Sequence, residues 1–482
     1  MGRNRMRLEA RTRLVWWRPA GGVVLLMLAL VVAGGGAPVA TGGAESETRK
    51  APDGGWNRVQ ADPANYREVV SELEPGDWLQ LAPGDYPRAL RLHDVQGTAE
   101  RPIVISGPES GEPAVFHGRR GENTVSLLDA AHVVIRHLTL DGGGEPVSGV
   151  VAEAHGEYAH DITLESLTVR RYDRSQGNSA ITTRVPAWNW VIRDSTIKDA
   201  GTGMYLGQPD GDNAFVGGKI ENNRIVRTLG YNIQIKHQNS RDDVPGMPAE
   251  PRETLIRYNL LSKAERGSSG GRARPNLLVG HFPPSGAGAE DRYRIVGNLF
   301  YQNPHERLFQ GEGNVALTNN LFVNHHGDAL LVRPHNHVPR DVKILNNTIV
   351  AEGFGIRVDE PDPAHVQVVS GNAVFAVAPL QLSGGIDSRD NLTAERDEAR
   401  HALRAPDAAL DALDLYPRPG RMYEREVAVT DQVNPDWPEL TSDYNARPRL
   451  RPVWGAYAGP PEANPGRVPG IGPAAPECAP CR

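Results

Sequence analysis

The stretch Asn314 to Asn324, NVALTNNLFVN, sets a frame: an apolar residue, two further positions, an Asn, one spacer and a second apolar residue. The frame recurs at Ile135/Leu138/Leu140, Leu164/Leu167/Val169, Ile192/Ser195/Ile197, Ile220/Asn223/Ile225, Ile256/Asn259/Leu261, Ile295/Asn298/Phe300, Leu317/Asn320/Phe322, Ile344/Asn347/Ile349 and Val369/Asn372/Val374. Successive copies start 29, 28, 28, 36, 39, 22, 27 and 25 residues apart. A repeat of that length signals a solenoid. Each copy alternates with strand period and favours β-branched residues, which excludes leucine-rich and helical repeats. The Asn falls where a short bend must join two strands; it tolerates left-handed backbone angles and can bond the Asn of the next coil. The pattern therefore predicts an all-β chain, a right-handed parallel β-helix of the pectin-lyase-like kind, with Asn223, Asn259, Asn298, Asn320, Asn347 and Asn372 in one ladder. Replacing a central rung is expected to cost about 1–3 kcal/mol.

A solenoid grows in one dimension, so 482 residues fit one long domain, and 52 Gly with 39 Pro suit several turns per coil. The net charge of −7 leaves no basic field for nucleic acid. At the N-terminus six arginines between Arg3 and Arg18 oppose Glu9, followed by the apolar run Val23 to Ala33 and small residues through Ala44. This is the layout of a secretory signal. Residues 1–44 are thus expected to be a cleaved signal peptide, with an uncleaved anchor as the alternative and the only expected membrane association. Either places the folded part outside the cytoplasm: secreted, periplasmic or at the cell surface. Residues 45–55 read as a linker. The two cysteines, Cys478 and Cys481, close a Pro/Gly-rich tail at 459–482, and a lone C-x-x-C is read as part of that tail.

Asp62-Pro63 followed by Tyr66, Val69, Val70 and Leu73 predicts an amphipathic helix that caps the open end of the solenoid. The β-helix is expected over 56–376. An irregular C-terminal extension over 377–458 is expected to fold back and cover the far end. The run at 64–107, ANYREVVSELEPGDWLQLAPGDYPRALRLHDVQGTAERPIVISG, resembles the N-terminal coil of chondroitinase B-like and alginate-lyase-like enzymes, polysaccharide lyase family six. That resemblance covers about a tenth of the chain in motif terms. It implies a catalytic Lys at a strand end, an Arg on the next coil, and carboxylates that bind calcium shortly before the Lys. This chain departs on both counts: the next coil gives Gly280-His281, and the approach to Lys236 reads Leu229-Gly230-Tyr231-Asn232-Ile233-Gln234. No cofactor is expected, calcium being the one that the resemblance raises.

A third strand per coil precedes the next repeat, and its alternation turns Thr182, Arg184, Tyr205, Gln234, Lys236, Leu278, Phe309, Leu331, Arg333 and Arg357 outward. Insertions at 238–252, 262–275 and 282–291 flank the strands ending Lys236-His237 and Gly280-His281, and are expected to wall in one stretch of groove. Lys236, His281, Glu312 and Arg333, at matching strand ends of four coils, would line about 15 Å of surface. Six lysines stand against 46 arginines, and Lys can lose its proton when desolvated whereas Arg cannot. A uronate lyase must neutralise a carboxylate, remove the adjacent C5 proton and protonate the leaving oxygen. Lys236 is the candidate base, Arg333 or Arg274 the neutraliser, and His281 or Tyr205 the acid. Tyr205, Gln234, His237, Arg274, Glu312 and His335 are candidate substrate contacts. His325, His326, His335 and His337 sit in ordinary coil turns, and no metal site is assigned to them. Paired outward Asp residues, which hydrolysis needs, are missing. The leading expectation is an exported lyase, monomeric, acting on an acidic polysaccharide. The alternatives are a non-catalytic glycan-binding or structural β-helix, and a hydrolase or epimerase on the same scaffold.

Overall fold

A computed structural model of the chain describes residues 55–422, 437–449 and 453–458. The basic and apolar leader, most of the linker, and the tail with Cys478 and Cys481 lie outside the described residues. Among the described residues no helix is long and apolar enough to cross a membrane.

Each repeat forms one coil of a right-handed parallel β-helix, and a coil crosses three sheet faces in turn. In one central coil these are Val315–Thr318, Leu321–Asn324 and Leu330–Val332, each paired in parallel with the strands of the coils above and below. The first face runs from Asn57–Ala61 to Ile386–Asp387. The second ends at Leu392–Ala394, so the solenoid continues past the expected limit at 376. Its inward side chains form one continuous buried core, within which Phe300 and Phe322 stack at 4.4 Å. Over the first coils lies the helix Tyr66–Val70, with Tyr66 and Val70 buried against that core. It starts three residues beyond Pro63, because the Asp62 carboxylate caps the turn before it, accepting from the Ala64 and Asn65 N–H groups.

The Asn ladder forms as expected and goes one rung further. The Nδ2 of each of Asn223, Asn259, Asn298, Asn320 and Asn347 donates to the Oδ1 of the next Asn at 2.9–3.0 Å, and Asn372 donates to Asn391. The backbone at these corners differs from the expectation. Left-handed angles fall on the residue before each rung, Asn222, Tyr258, Gly297, Asn319, Asn346 and Gly371, and not on the rung itself. The rung needs its amide aligned along the solenoid axis, and the preceding residue makes the bend.

Phe309 also departs from the expected phase. It pairs with Leu277 and Leu330 and is fully buried, while Gln310 takes the outward place. The neighbouring inward position is Gly311, and the Phe309 ring lies where a Gly311 Cβ would point.

The C-terminal extension folds back along the flanks of the solenoid. Leu415, Tyr416, Tyr444, Val453 and Tyr457 pack on the outer side of the second face over Leu260, Leu299, Leu321 and Ala373. Trp437 and Leu440 pack on the outer side of the first over Ala316, Leu345 and Val368. Arg294 holds the extension through Glu439 at 2.7 Å, and Arg449 donates to Asn319 Oδ1 at 2.7 Å. Neither apolar contact layer includes a residue of the third face.

Candidate functional site

Parallel register fixes which third-face side chains share a row. One outward row runs Thr182, Tyr205, Gln234, Leu278, Gln310, Leu331 and Arg357, from pairings across six coil junctions. The residues one step past the strand ends form a second row of Arg184, Gly207, Lys236, Gly280, Glu312 and Arg333. The backbone bonds Lys236 N to Leu206 O, Gly280 N to Ile235 O and Arg333 N to Gly311 O tie that row together.

A groove of about 840 Å³ opens over these rows. Its lining includes Thr182, Arg184, Tyr205, Asp210, Asn213, Tyr231, Gln234, Lys236 and Arg274. Three cations against one carboxylate make it an electropositive trough on a chain whose net charge is −7. Lys236 is half-buried, its Nζ 5.9 Å from the centre of the Tyr205 ring, and it ion-pairs with no described residue. Burial pushes its pKa below the ordinary lysine value, against a smaller opposing pull from Glu312. The same cause pushes the Tyr205 phenol up. The two groups that share this contact are therefore driven towards a neutral amine and a protonated phenol. Gly207, at φ +84, leaves open the place beside the Lys236 stem.

Arg274 reaches the groove on the insertion at 262–275, with its guanidinium 6.0 Å from the Tyr231 ring centre. That insertion is tied down on several sides. Gln176 Nε2 donates to Arg272 O at 2.7 Å, Arg266 pairs with Asp173 at 2.5 Å, and Ser268 N donates to Leu229 O. Beneath it Lys263 is fully buried and donates to Arg274 O at 2.7 Å, a carbonyl that Asn303 also bonds. Desolvation lowers the Lys263 pKa to about 7.

The other two insertions do not line this groove. They pack on one another through the buried pair Arg241–Asp291 at 2.6 Å, and Val244 and Met247 cover Trp188. Only one of the three expected walls is thus present.

The structure brings Lys236, Tyr205, Gln234 and Arg274 together, and it separates the other expected residues from them. Pairing puts Gly280, not His281, level with Lys236. A side chain at 280 would collide with the His237 backbone, which is why no Arg stands there. His281 lies one residue further on, buried, with its ring 4.6 Å from that of His337. Burial lowers its pKa to about 4, so it is a neutral imidazole and carries no extra proton for a leaving group. Glu312, two coils from Lys236, is buried; it accepts from Asn336 Nδ2 at 2.8 Å and lies 3.5 Å from His335 Nδ1. His237 faces the 208–211 turn, where its ring meets the space beside Gly211, and desolvation lowers its pKa. Arg333 is exposed three coils from Lys236, about 14 Å at the strand spacing. His325 is engaged elsewhere, near Gln302 and the Pro406 carbonyl, so the four histidines at 325, 326, 335 and 337 are not one group. Arg184 and Tyr231 were not singled out from sequence. Arg184 had only its outward phase as a signal, and Tyr231 lies just before its strand, where alternation says nothing.

The groove does not suit calcium. That ion takes six to eight oxygen ligands, with carboxylates among them. Asp210 is the one carboxylate in the lining, among the described residues.

No family model matches the chain, and no curated protein matches it. Solved structures of low identity are similar. An alginate lyase from Paenibacillus sp. str. FPU-7 is 15% identical over 70% of this chain and 99% of its own, with a TM-score of 0.38. A GH136 lacto-N-biosidase from Eubacterium ramulus is 13% identical over 70% and 68%, with a TM-score of 0.46. A PL6 family polysaccharide lyase from Pseudopedobacter saltans is 12% identical over 79% and 99%, with a TM-score of 0.42. Likeness at this level carries no activity to this chain, and fold does not imply function.

Proposed function

We propose that this chain is an exported polysaccharide lyase that cleaves an acidic, uronate-containing glycan by β-elimination in the third-face groove. One observation carries the reading: an unpaired, desolvated lysine sits against a desolvated tyrosine in a trough that Arg184 and Arg274 also line. Two titratable groups whose surroundings push their pKa values apart supply a base and an acid side by side. Arg274 or Arg184 neutralises the uronate carboxylate, which acidifies C5–H. The neutral Lys236 amine takes that proton, the C4–O bond breaks as the C4=C5 double bond forms, and the Tyr205 hydroxyl protonates the departing glycosidic oxygen. Gln234 stands next to Tyr205 in its row, as a hydrogen-bonding contact for the sugar. Hydrolysis finds less support, because a single lining carboxylate cannot act as an acid and base pair. Epimerisation shares the proton abstraction and differs in product.

The test is a screen of purified protein on alginate, chondroitin and pectic substrates, followed by the ultraviolet absorbance of the unsaturated product. Lys236→Ala abolishes turnover and leaves glycan binding, Tyr205→Phe lowers kcat more than it changes KM, and Arg274→Ala raises KM. Turnover rises with pH as Lys236 loses its proton and falls as Tyr205 ionises, and Tyr205→Phe removes the falling limb. A second reading, glycan binding without turnover, draws on Gly280 standing where the resemblance implies a cation. If no substrate gives product and Lys236→Ala only trims affinity, that second reading replaces the first.

A further inference from the structure

A second constellation lies on the first face, among residues that do not line the groove. In the strands Ala130–Arg136 and Ala159–Glu165, the pairs His160↔Ala131 and Ile162↔Val133 leave one residue between them on each strand, His132 and Asp161. Both adopt left-handed backbone, φ 52 and 53. The next coil repeats the bulge at Asn189, φ 57. The bulge row brings His132 and Asp161 beside the outward His160, and the ligand atoms of the three side chains lie within 4.8 Å of one another.

We propose that His132, His160 and Asp161 bind a divalent transition-metal ion of the zinc type, through two imidazole nitrogens and one carboxylate. Neutral imidazole with carboxylate suits zinc, cobalt, nickel or copper, and not calcium or magnesium, which take oxygen ligands. The ligands are positioned from behind. The His160 ring is stacked on Trp188 at 4.4 Å and 9°, and the His132 ring meets it edge-on at 5.3 Å. Asn189 Nδ2 holds Asp161 Oδ1 at 3.3 Å. The row neighbour on the other side of His160 is Ala131, whose small side chain leaves room there. Ligand atoms in a tetrahedral shell with bonds of about 2.1 Å sit about 3.4 Å apart, so no pair of the three has to close by more than about 1.4 Å, within rotamer adjustment. His160 Nδ1 and Asp161 Oδ2 already lie 2.8 Å apart. The ligands come from two successive coils, so a bound ion staples the early part of the solenoid.

The experiment uses the full chain with Cys478→Ser and Cys481→Ser, which removes the competing thiolates of the tail. Titration with zinc, and with cobalt as the visible probe, is expected to saturate at one equivalent and to raise the unfolding midpoint, reversibly with a chelator. Asp161→Asn and His160→Ala are each expected to weaken binding about 100-fold, and Asn189→Ala about 10-fold through the position of Asp161. Circular dichroism guards against misfolding. Should His160→Ala not fold, the near-isosteric Asp161→Asn decides the matter. Absence of saturable binding at micromolar metal, or binding that Asp161→Asn leaves unchanged, overturns the proposal.

Discussion

Replacing Asn320 by Ala removes a side chain that is fully buried and whose four hydrogen bonds are all assigned. Its Oδ1 accepts from Asn298 N and Nδ2, and its Nδ2 donates to Asn347 Oδ1 and Ile295 O. At about 1 kcal/mol net for each bond the loss is about 4 kcal/mol, and the two orphaned Asn298 donors, fully buried, argue against less. This exceeds the 1–3 kcal/mol expected from sequence, because the ladder bonds the backbone N–H of the previous rung as well as its amide. Asn391, the last rung, gives an internal control. It also accepts from two donors of the preceding Asn, but it is half-exposed, so water can take its place and the cost of Asn391→Ala should be about 1 kcal/mol. The assay is equilibrium urea unfolding of both variants beside the parent, with m compared first, because a solenoid can unfold in parts. A loss at Asn320 no larger than that at Asn391 would refute the account of the ladder as a fully satisfied buried network.

Lys263 offers a pH test. Its folded pKa of about 7 lies below the ordinary lysine value, so between about pH 7 and that value the unfolded chain binds more protons and stability rises with pH. Below about pH 7 both states are protonated and the slope from this group vanishes. Lys263→Met should flatten the rise above pH 7, measured as unfolding midpoints across the range; an unchanged slope counts against the buried charge. Arg241→Ala strands the Asp291 carboxylate, whose pKa burial already pushes up, and should cost about 3–5 kcal/mol. Adding Asp291→Asn should recover part of that loss, and a double variant no better than the single one would show that the pair acts only through packing.

The fold was legible in the sequence because, from Asn223 onward, the ladder corner repeats one residue type at one place in the frame. Asn223 to Asn372 repeat that solution openly. Asn391 was missed because it follows Asn372 by only 19 residues, shorter than any earlier step. Site phase was harder to read. In LFQGEG the apolar neighbours Leu308 and Phe309 are both buried, and the inward partner of Phe309 is a glycine, so alternation has no hydrophobic signal to follow. Tyr205 and Lys236 fall on the expected outward phase because the sequences of their two strands alternate cleanly. His281 was placed level with Lys236 by counting from strand ends, whereas the register is set by the Val279 pairing with Ile235, which depends on contacts across coils. Which insertion reaches the groove was not written locally either, because the Arg241–Asp291 pair that draws two of them together spans 50 residues.

The ladder corner has a consequence for how such a chain can change. Between rungs the chain length varies from 19 to 39 residues, yet each first-face strand still reaches its second-face strand through the same tight bend. All variation in length is therefore expelled to the other two corners. The Asn row works as a spine of fixed pitch, against which segments can be grown, trimmed or exchanged elsewhere without shifting any neighbour's register. The loop bearing Arg274 is one such graft. A replacement of the 262–275 segment by one of different length and charge would reshape the trough and its field while leaving every rung in place.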